Sequence, residues 1–247
     1  MKKERNTIEY KLYGRYALFS DPIMRVGGEK FSYQVPTYQA LVGITESIYW
    51  KPSLFWIIDA VRVMKKIQTE SKGVKPIKMS GGNELAYYTY LRDVEYQVRA
   101  HFEWSKYRPE LQADWDEHKH HNIAKRCVAK GGRRDIFLGT RECQGYVEPC
   151  TFGEGEGFYD RYGQLDFGMM FHGFDYPAQT GKKEFGKRLW HAQMKDGVME
   201  FPRPDDSALP RDVIRKMSLK QYTINKDFLP VAHDLALQDL LSEEGGA

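Results

Sequence analysis

The run Asp114-Trp115-Asp116-Glu117-His118-Lys119-His120-His121 is the densest stretch of ionisable side chains in the chain. Carboxylates and imidazoles ligate metals, so a metal-dependent nuclease centre built on Asp114, Asp116, Glu117 and the histidines is one chemistry this run could support. The spacing is not HExxH, however, and adjacent residues on a helix or strand point in different directions. Lys119, in the middle, would oppose a cation. A second chemistry needs no metal. RNA carries its own nucleophile, the 2′-hydroxyl beside the scissile phosphate. An enzyme must then deprotonate that hydroxyl, stabilise a pentavalent phosphorane and protonate the departing 5′-oxygen. Histidine suits the proton transfers, because its ordinary pKa of about 6.5 lies near cellular pH. Lysine supplies fixed positive charge where negative charge accumulates. A tyrosine can orient the hydroxyl. On residue types alone, solvated loop histidines stand beside both readings.

The surroundings of this run are basic. From His118 to Glu142, seven cationic residues (Lys119, Lys125, Arg126, Lys130, Arg133, Arg134 and Arg141) face only Asp135 and Glu142. A second stretch, 182–195, carries Lys182, Lys183, Lys187, Arg188 and Lys195 against Glu184 alone. Clustered cations suit a polyphosphate partner, since neutralising phosphates releases condensed counterions. A solvated basic face is the plain alternative. Sixteen tyrosines and 14% aromatic residues add faces on which unpaired bases can stack.

The whole chain sets outer bounds. It has 247 residues, 41% hydrophobic and 29% charged, with a net charge of +3, which describes an ordinary globular protein able to bury a sizeable core. The small positive excess leaves DNA binding open. No apolar run approaches the roughly 20 residues that span a bilayer. The opening residues alternate and form no apolar signal core, so a cytoplasmic protein without a membrane partner is expected. Cys127, Cys143 and Cys150 are odd in number and lack CxxC spacing, which argues against a disulfide framework and a structural zinc site. No cofactor is called for.

Several elements must position the ionisable run. Residues 7–20 alternate as a strand, with Ile8, Tyr10 and Leu12 on one face. A loop over 21–36 leads into a helix from Pro36 to Ile48, with Ala40, Leu41, Ile44 and Ile48 in one stripe. Strands are expected over 55–67 and 137–147, and one long strand or a hairpin over 85–104. A second helix is expected over 122–130, ended by Gly131-Gly132. Strand, helix, strand, strand, helix, strand is the ferredoxin-like order, an α+β fold shared with RNA-recognition modules. After Cys150 a glycine-rich connector, 151–157, leads to short strands over 165–176 and 187–201 and an acidic helix over 232–244. This predicts a domain over 1–150 and a smaller β-rich subdomain over 151–247.

Larger signatures carry a family resemblance. They are Tyr16-Ala17-Leu18-Phe19-Ser20-Asp21-Pro22, then Ser32 to Ala40 (SYQVPTYQA), then Glu46-Ser47-Ile48-Tyr49-Trp50-Lys51-Pro52. Arg92-Asp93-Val94-Glu95-Tyr96, Lys119-His120-His121 and Leu138-Gly139-Thr140-Arg141-Glu142-Cys143 follow in order. Together they resemble the CRISPR-associated "Cas five" family, d-type branch of subtype I-C systems, closely over the first 150 residues and loosely beyond.

The resemblance implies a ferredoxin-like, RRM-like domain of the RAMP superfamily with a β-rich extension. It implies metal-independent cleavage of precursor crRNA at the base of the repeat stem-loop, and retention of the 5′ handle of the mature crRNA. Partners would be the CRISPR repeat RNA and the backbone and large subunits of the subtype I-C interference complex. Relatives that only cap the 5′ handle supply the rival, non-catalytic reading. The family's catalytic trio carries over to Tyr49, Lys119 and His120, with Tyr49 ending the first helix and the other two just before the second. His121 competes with His120 for the imidazole role, and His118 more weakly. Arg25, Lys51, Lys125, Arg126, Arg133 and Arg134 are the expected RNA-binding cations.

Overall fold

The computed structural model describes residues 6–20, 28–227 and 229–230. The fold is a sheet-dominated α+β arrangement. Its centre is β5 (Ala86–Trp104), one uninterrupted strand of 19 residues. Along its C-terminal part β5 pairs antiparallel with β1 (Thr7–Ala17) on one side and β3 (Leu54–Val63) on the other. β7 (Gln144–Pro149) then adds to β1, so the spatial order through the middle is β7-β1-β5-β3. Helix α1 (Tyr38–Ile48) connects β1 to β3, and α2 (Glu117–Ala129) connects β5 to β7.

Period-2 patterning explains the layering. On β1, Ile8, Tyr10 and Leu12 are buried beneath the helices. The intervening Glu9 and Lys11 pair across the other face with Arg99 (2.9 Å) and Glu148 (2.6 Å). Each large apolar side chain buried in this way stabilises the fold by roughly 1.5–3 kcal/mol. Helix α1 is capped by Thr37, whose hydroxyl accepts from the Ala40 amide. It is pinned to β1 where the Tyr10 hydroxyl donates to buried Thr45 Oγ1 at 2.7 Å, because Thr45 already donates to Leu41 O.

The sheet continues into the second half of the chain. β8 (Gln164–Asp175) and β9 (Glu184–Lys195) form a hairpin, and β10 (Val198–Glu200) joins β9 to β3. The short helix α3 (Pro177–Thr180) turns the hairpin, and β11 (Arg211–Lys216) pairs the outer edge of β9. Buried Arg62 of β3 holds the glycine-rich connector. Its guanidinium reaches Asp160 (2.6 Å) and the carbonyls of Glu154 and Gly155.

Several boundaries differ from the sequence reading. Helix α2 begins at Glu117, five residues before the expected start, because Asp116 is its N-cap and accepts from the Lys119 amide at 3.1 Å. Lys119 and His120 therefore lie in the first turn of α2 and not in a loop before it. The expected strand over 137–147 is a hairpin of β6 (Ile136–Phe137) and β7 about a turn at 138–143. β2 (Lys30–Phe31) and β4 (Thr69–Val74), both paired to the N-terminal part of β5, were not foreseen. The helix expected over 232–244 lies outside the described residues. Among the described residues no helix is long and apolar enough to cross a membrane.

Candidate active site

Tyr49 is the C-cap of α1, with extended backbone and its N–H on Thr45 O at 3.0 Å. Trp56 of β3 donates its indole N–H to Tyr49 O at 2.7 Å, which fixes where the side chain leaves the helix end. The left-handed turn at Gly131-Gly132 after α2 brings Arg133 and Arg134 back to the same place. Their backbone N–H groups satisfy Ile48 O and Ser47 O, two of the carbonyls that a helix C-terminus leaves unpaired. The two arginines thus sit at the negative end of α1, beside Tyr49.

The Tyr49 hydroxyl meets His120 Nδ1 at 2.7 Å. His120 Nε2 lies 2.7 Å from Asp114 O. A carbonyl can only accept, so Nε2 carries the proton, and Nδ1 accepts from the tyrosine. Ser53 donates to Asp114 Oδ2 at 2.7 Å, and that same oxygen lies 3.5 Å from His120 Nε2. Trp104 sets its ring against the imidazole at 5.3 Å between centroids and stacks on Trp115 at 5.7 Å. Tyr49 and His120 both have zero exposure.

This arrangement separates the neighbouring histidines. His121 Nε2 donates to Thr7 O at 2.9 Å and ties α2 to β1, and His118 is exposed. His120 is the one that hydrogen-bonds Tyr49. Lys119 points away from the core, 44% exposed, with Nζ 3.3 Å from Asp116 Oδ2. Two of the three acidic side chains of the run are engaged in folding, Asp114 with Ser53 and Asp116 as a helix cap. Among the described residues no group of three or more His, Cys, Asp or Glu converges on a possible metal position.

The expected RNA-binding cations fall into three groups. Lys125, Arg133 and Arg134 are exposed and Arg126 is half-buried. Lys51 is buried, 7% exposed, and its ammonium donates to Leu229 O at 3.0 Å. Arg25 lies outside the described residues. Sequence reasoning missed Trp104, whose ring packs against His120, Trp115, which stacks on Trp104, and Ser53, which holds Asp114. The signal available was one tryptophan within the ionisable run and another ten residues before it.

Glu46, one turn before Tyr49 and near Arg134, is a further ionisable group at this corner. Burial pushes its carboxyl up to about 7, with Arg134 opposing in part. A folded pKa above the unfolded value of 4.5 means that stability present in acid is lost as pH rises from about 4.5 to 7. Glu46→Gln should remove that loss. At pH 8 the variant is expected to be more stable than wild type by on the order of 2 kcal/mol, and at pH 4.5 to differ little. Urea unfolding at both pH values checks this, and equal pH dependence in the two proteins would contradict it.

A model of the CRISPR-associated protein family Cas5 in its d-type form matches residues 7–202. The chain is 28% identical over 230 residues to the CRISPR pre-crRNA endoribonuclease Cas5d of Mannheimia succiniciproducens, covering 80% of this chain and 95% of that one. It is 26% identical over 219 residues to the protein of the same name from Thermus thermophilus, covering 79% and 91%. Among solved structures, a CRISPR-associated protein matches with a TM-score of 0.69 at 35% identity, covering 83% of this chain and 96% of the other. A functionally uncharacterized protein of Streptococcus mutans matches over the same shares with a TM-score of 0.68 at 36% identity.

Proposed function

The chain belongs to the Cas5d family of CRISPR-associated proteins, and we propose that it is an endoribonuclease that cleaves precursor crRNA within the repeat by 2′-hydroxyl attack. The observation that carries this reading is the Tyr49–His120 hydrogen bond, with Lys119 on the same helical turn as the imidazole. The oriented imidazole has its basic nitrogen on the phenol. As Tyr49 takes the 2′-hydroxyl proton, its own proton moves to His120 Nδ1. The imidazolium so formed keeps Nε2–H on Asp114 O, with the Asp114 carboxylate nearby. His120 in this scheme positions and activates Tyr49. Lys119 offers positive charge to the phosphorane and a proton to the departing 5′-oxygen. No step requires a metal.

The strand order β7-β1-β5-β3, with two helical crossovers, supports a ferredoxin-like reading of residues 1–150. On this reading 151–247 is an appended β-rich unit that extends the sheet through β10. Arg133 and Arg134 flank the Tyr49 corner, where they suit the phosphates beside the cut. Lys125 and Arg126 extend that basic face along α2, and Arg25 belongs to the same set. Lys51, with its ammonium already bonded to Leu229 O, is assigned a supporting place and not a direct phosphate contact. The cleaved RNA stays bound as the 5′ handle, within a subtype I-C interference complex whose backbone and large subunits are the expected protein partners.

The zero exposure of Tyr49 and His120 favours one rival, a module that binds the 5′ handle without cutting it. In the catalytic reading RNA binding must open a path to the Tyr49 hydroxyl. End-group analysis of products formed from the chain's own repeat RNA in excess EDTA distinguishes the two. The catalytic reading expects a 5′-hydroxyl and a 2′,3′-cyclic phosphate. Tight binding without any product would support the rival, and a 5′-phosphate end would contradict the 2′-hydroxyl route.

A further inference from the structure

A concavity of about 530 Å³ includes in its lining Trp104, the residue whose ring packs against His120. One wall comes from the ends of β3 and β5 with the turn that follows, and includes Phe55, Trp104 and Tyr107. The facing wall comes from the second half of the chain, the end of α3, the start of β9 and the 203–211 connection. This cleft takes no part in the chemistry proposed above, yet it shares Trp104 with it.

Its electrostatics are cationic. Lys106, Lys182, Arg188, Arg203 and Arg211 line it against Glu103, Asp175 and Asp205, a surplus of two positive charges (5 − 3). The floor concentrates this surplus. Asp175 accepts from both Arg188 and Arg211, so two guanidiniums share one carboxylate. Arg188 is 2% exposed, and its other partner, His172, brings no negative charge. His172 Nε2 donates to Pro202 O at 3.0 Å, leaving a neutral ring whose Nδ1 accepts from Arg188. At the rim Arg203 is held by Glu103 (2.8 Å) and Asp205 (3.1 Å). The side chains of Lys106 and Lys182 are exposed and have no acidic partner among the described residues. Cations in a partly enclosed, low-dielectric cleft attract an anion more strongly than the same charges on an open face.

Its aromatic wall is preorganised. Tyr107 is 48% exposed, yet its ring is held over Gly181, the left-handed cap of α3. A Cβ at Gly181 would stand 2.5 Å from that ring, so glycine permits the contact. A fixed, solvent-facing aromatic ring beside unpaired lysines is the combination that binds single-stranded nucleotides, by stacking on the base and charge on the phosphate.

We propose that this cleft seats an unpaired nucleotide of the substrate RNA, with its base on Tyr107 and its phosphate between Lys106 and Lys182. The proposal rests on the endoribonuclease reading above and adds to it how the unpaired flank of the repeat is held. Trp104, which lines the cleft, also abuts His120, so the two sites share one side chain.

The test uses the full chain and its own array's repeat RNA, carrying a 2′-deoxy residue at the cut so that binding is read without cleavage. Lys106→Ala/Lys182→Ala is expected to bind at least about tenfold more weakly, with the slope of log K against log salt reduced by about 1–2. Tyr107→Ala is expected to bind about tenfold more weakly with an unchanged salt slope, and Tyr107→Phe to bind as wild type does. A bare stem-loop lacking the unpaired flank should bind all four proteins equally. Wild-type affinity for the full repeat in both alanine variants, or equal losses on the bare stem-loop, would overturn the proposal. So would variants that bind RNA normally but fail to assemble with other subunits, which would mark a site for an acidic protein segment. Cleavage of the all-ribose repeat by wild type is scored in parallel. Its absence defeats the endoribonuclease reading while leaving the binding comparison to decide the cleft.

Discussion

Replacing His120 with alanine is expected to slow single-turnover cleavage of the repeat by about 10³-fold and to cost about 2–4 kcal/mol of stability. The rate loss follows from removing the base that accepts the Tyr49 proton, since positioned proton transfer contributes roughly 10²–10⁴-fold. The stability loss follows from burial. The substitution opens a cavity between Trp104 and Phe102 and strands the Tyr49 hydroxyl and Asp114 O without their partner. Two companions separate the effects. Tyr49→Phe keeps the ring in place and should lose activity on the same scale while costing about 1–3 kcal/mol, because Nδ1 is left unpaired. Lys119→Ala, at a largely exposed side chain, should change stability by no more than about 0.5 kcal/mol yet slow cleavage by about 10²-fold or more. Single-turnover rates beside urea midpoints for the three proteins make the comparison. Activity loss that tracked stability loss, with Lys119→Ala fully active, would reduce the buried pair to a structural pin.

Gly139→Ala is expected to destabilise the fold by about 3–5 kcal/mol, a large share of the 5–15 kcal/mol that holds most domains together. Gly139 lies in the turn between β6 and β7 with φ at +98°, where L side chains are strained. A Cβ there would stand 2.0 Å from Leu18 O. The obstacle is backbone and cannot swing aside. It is also fixed from both sides, because Leu18 N–H donates to Leu138 O at 2.9 Å, and Leu138 N–H to Cys143 O at 2.7 Å. Gly131→Ala is the control. Its φ is +84°, but nothing lies within 4 Å of the added carbon, so only the backbone strain of about 1 kcal/mol should appear. Urea midpoints with an unchanged m-value check both, and equal losses would contradict the steric account.

This turn shows what the sequence could and could not reveal. The segment Leu138-Gly139-Thr140-Arg141-Glu142-Cys143 stands out as a signature, but the partner that demands its glycine is Leu18, about 120 residues earlier. The central elements were legible for two reasons: β1 and α1 carry the period of 2 or 3.6 that one buried face imposes, and β3, buried on both faces, is marked by its β-branched residues. β4 (TESKGV) and β11 (RDVIRK) were not, because neither strand has a fully buried residue to mark a period. The start of α2 was misplaced because its first turn, Glu117 to His120, offers no apolar stripe before Ile123. Asp116 as an N-cap was the signal to follow. At the site, the residue types suggested proton transfer and the family signature singled out Tyr49 and His120. That these two meet across 71 residues, and that His121 instead bonds Thr7, is a property of packing. Lys51 looked like a surface cation for the same reason in reverse, since the carbonyl that buries its ammonium is 178 residues away.

The central claim is that RNA supplies the nucleophile and the Tyr49–His120 pair activates it. The most direct test is cleavage of the repeat RNA in excess EDTA, compared between an all-ribose strand and one carrying a single 2′-deoxy residue at the cut. The account expects the ribose strand to be cut at full rate and the deoxy strand to remain intact while binding equally well. Cleavage of the deoxy strand, or loss of all cleavage in EDTA with recovery on adding a divalent metal, would contradict it.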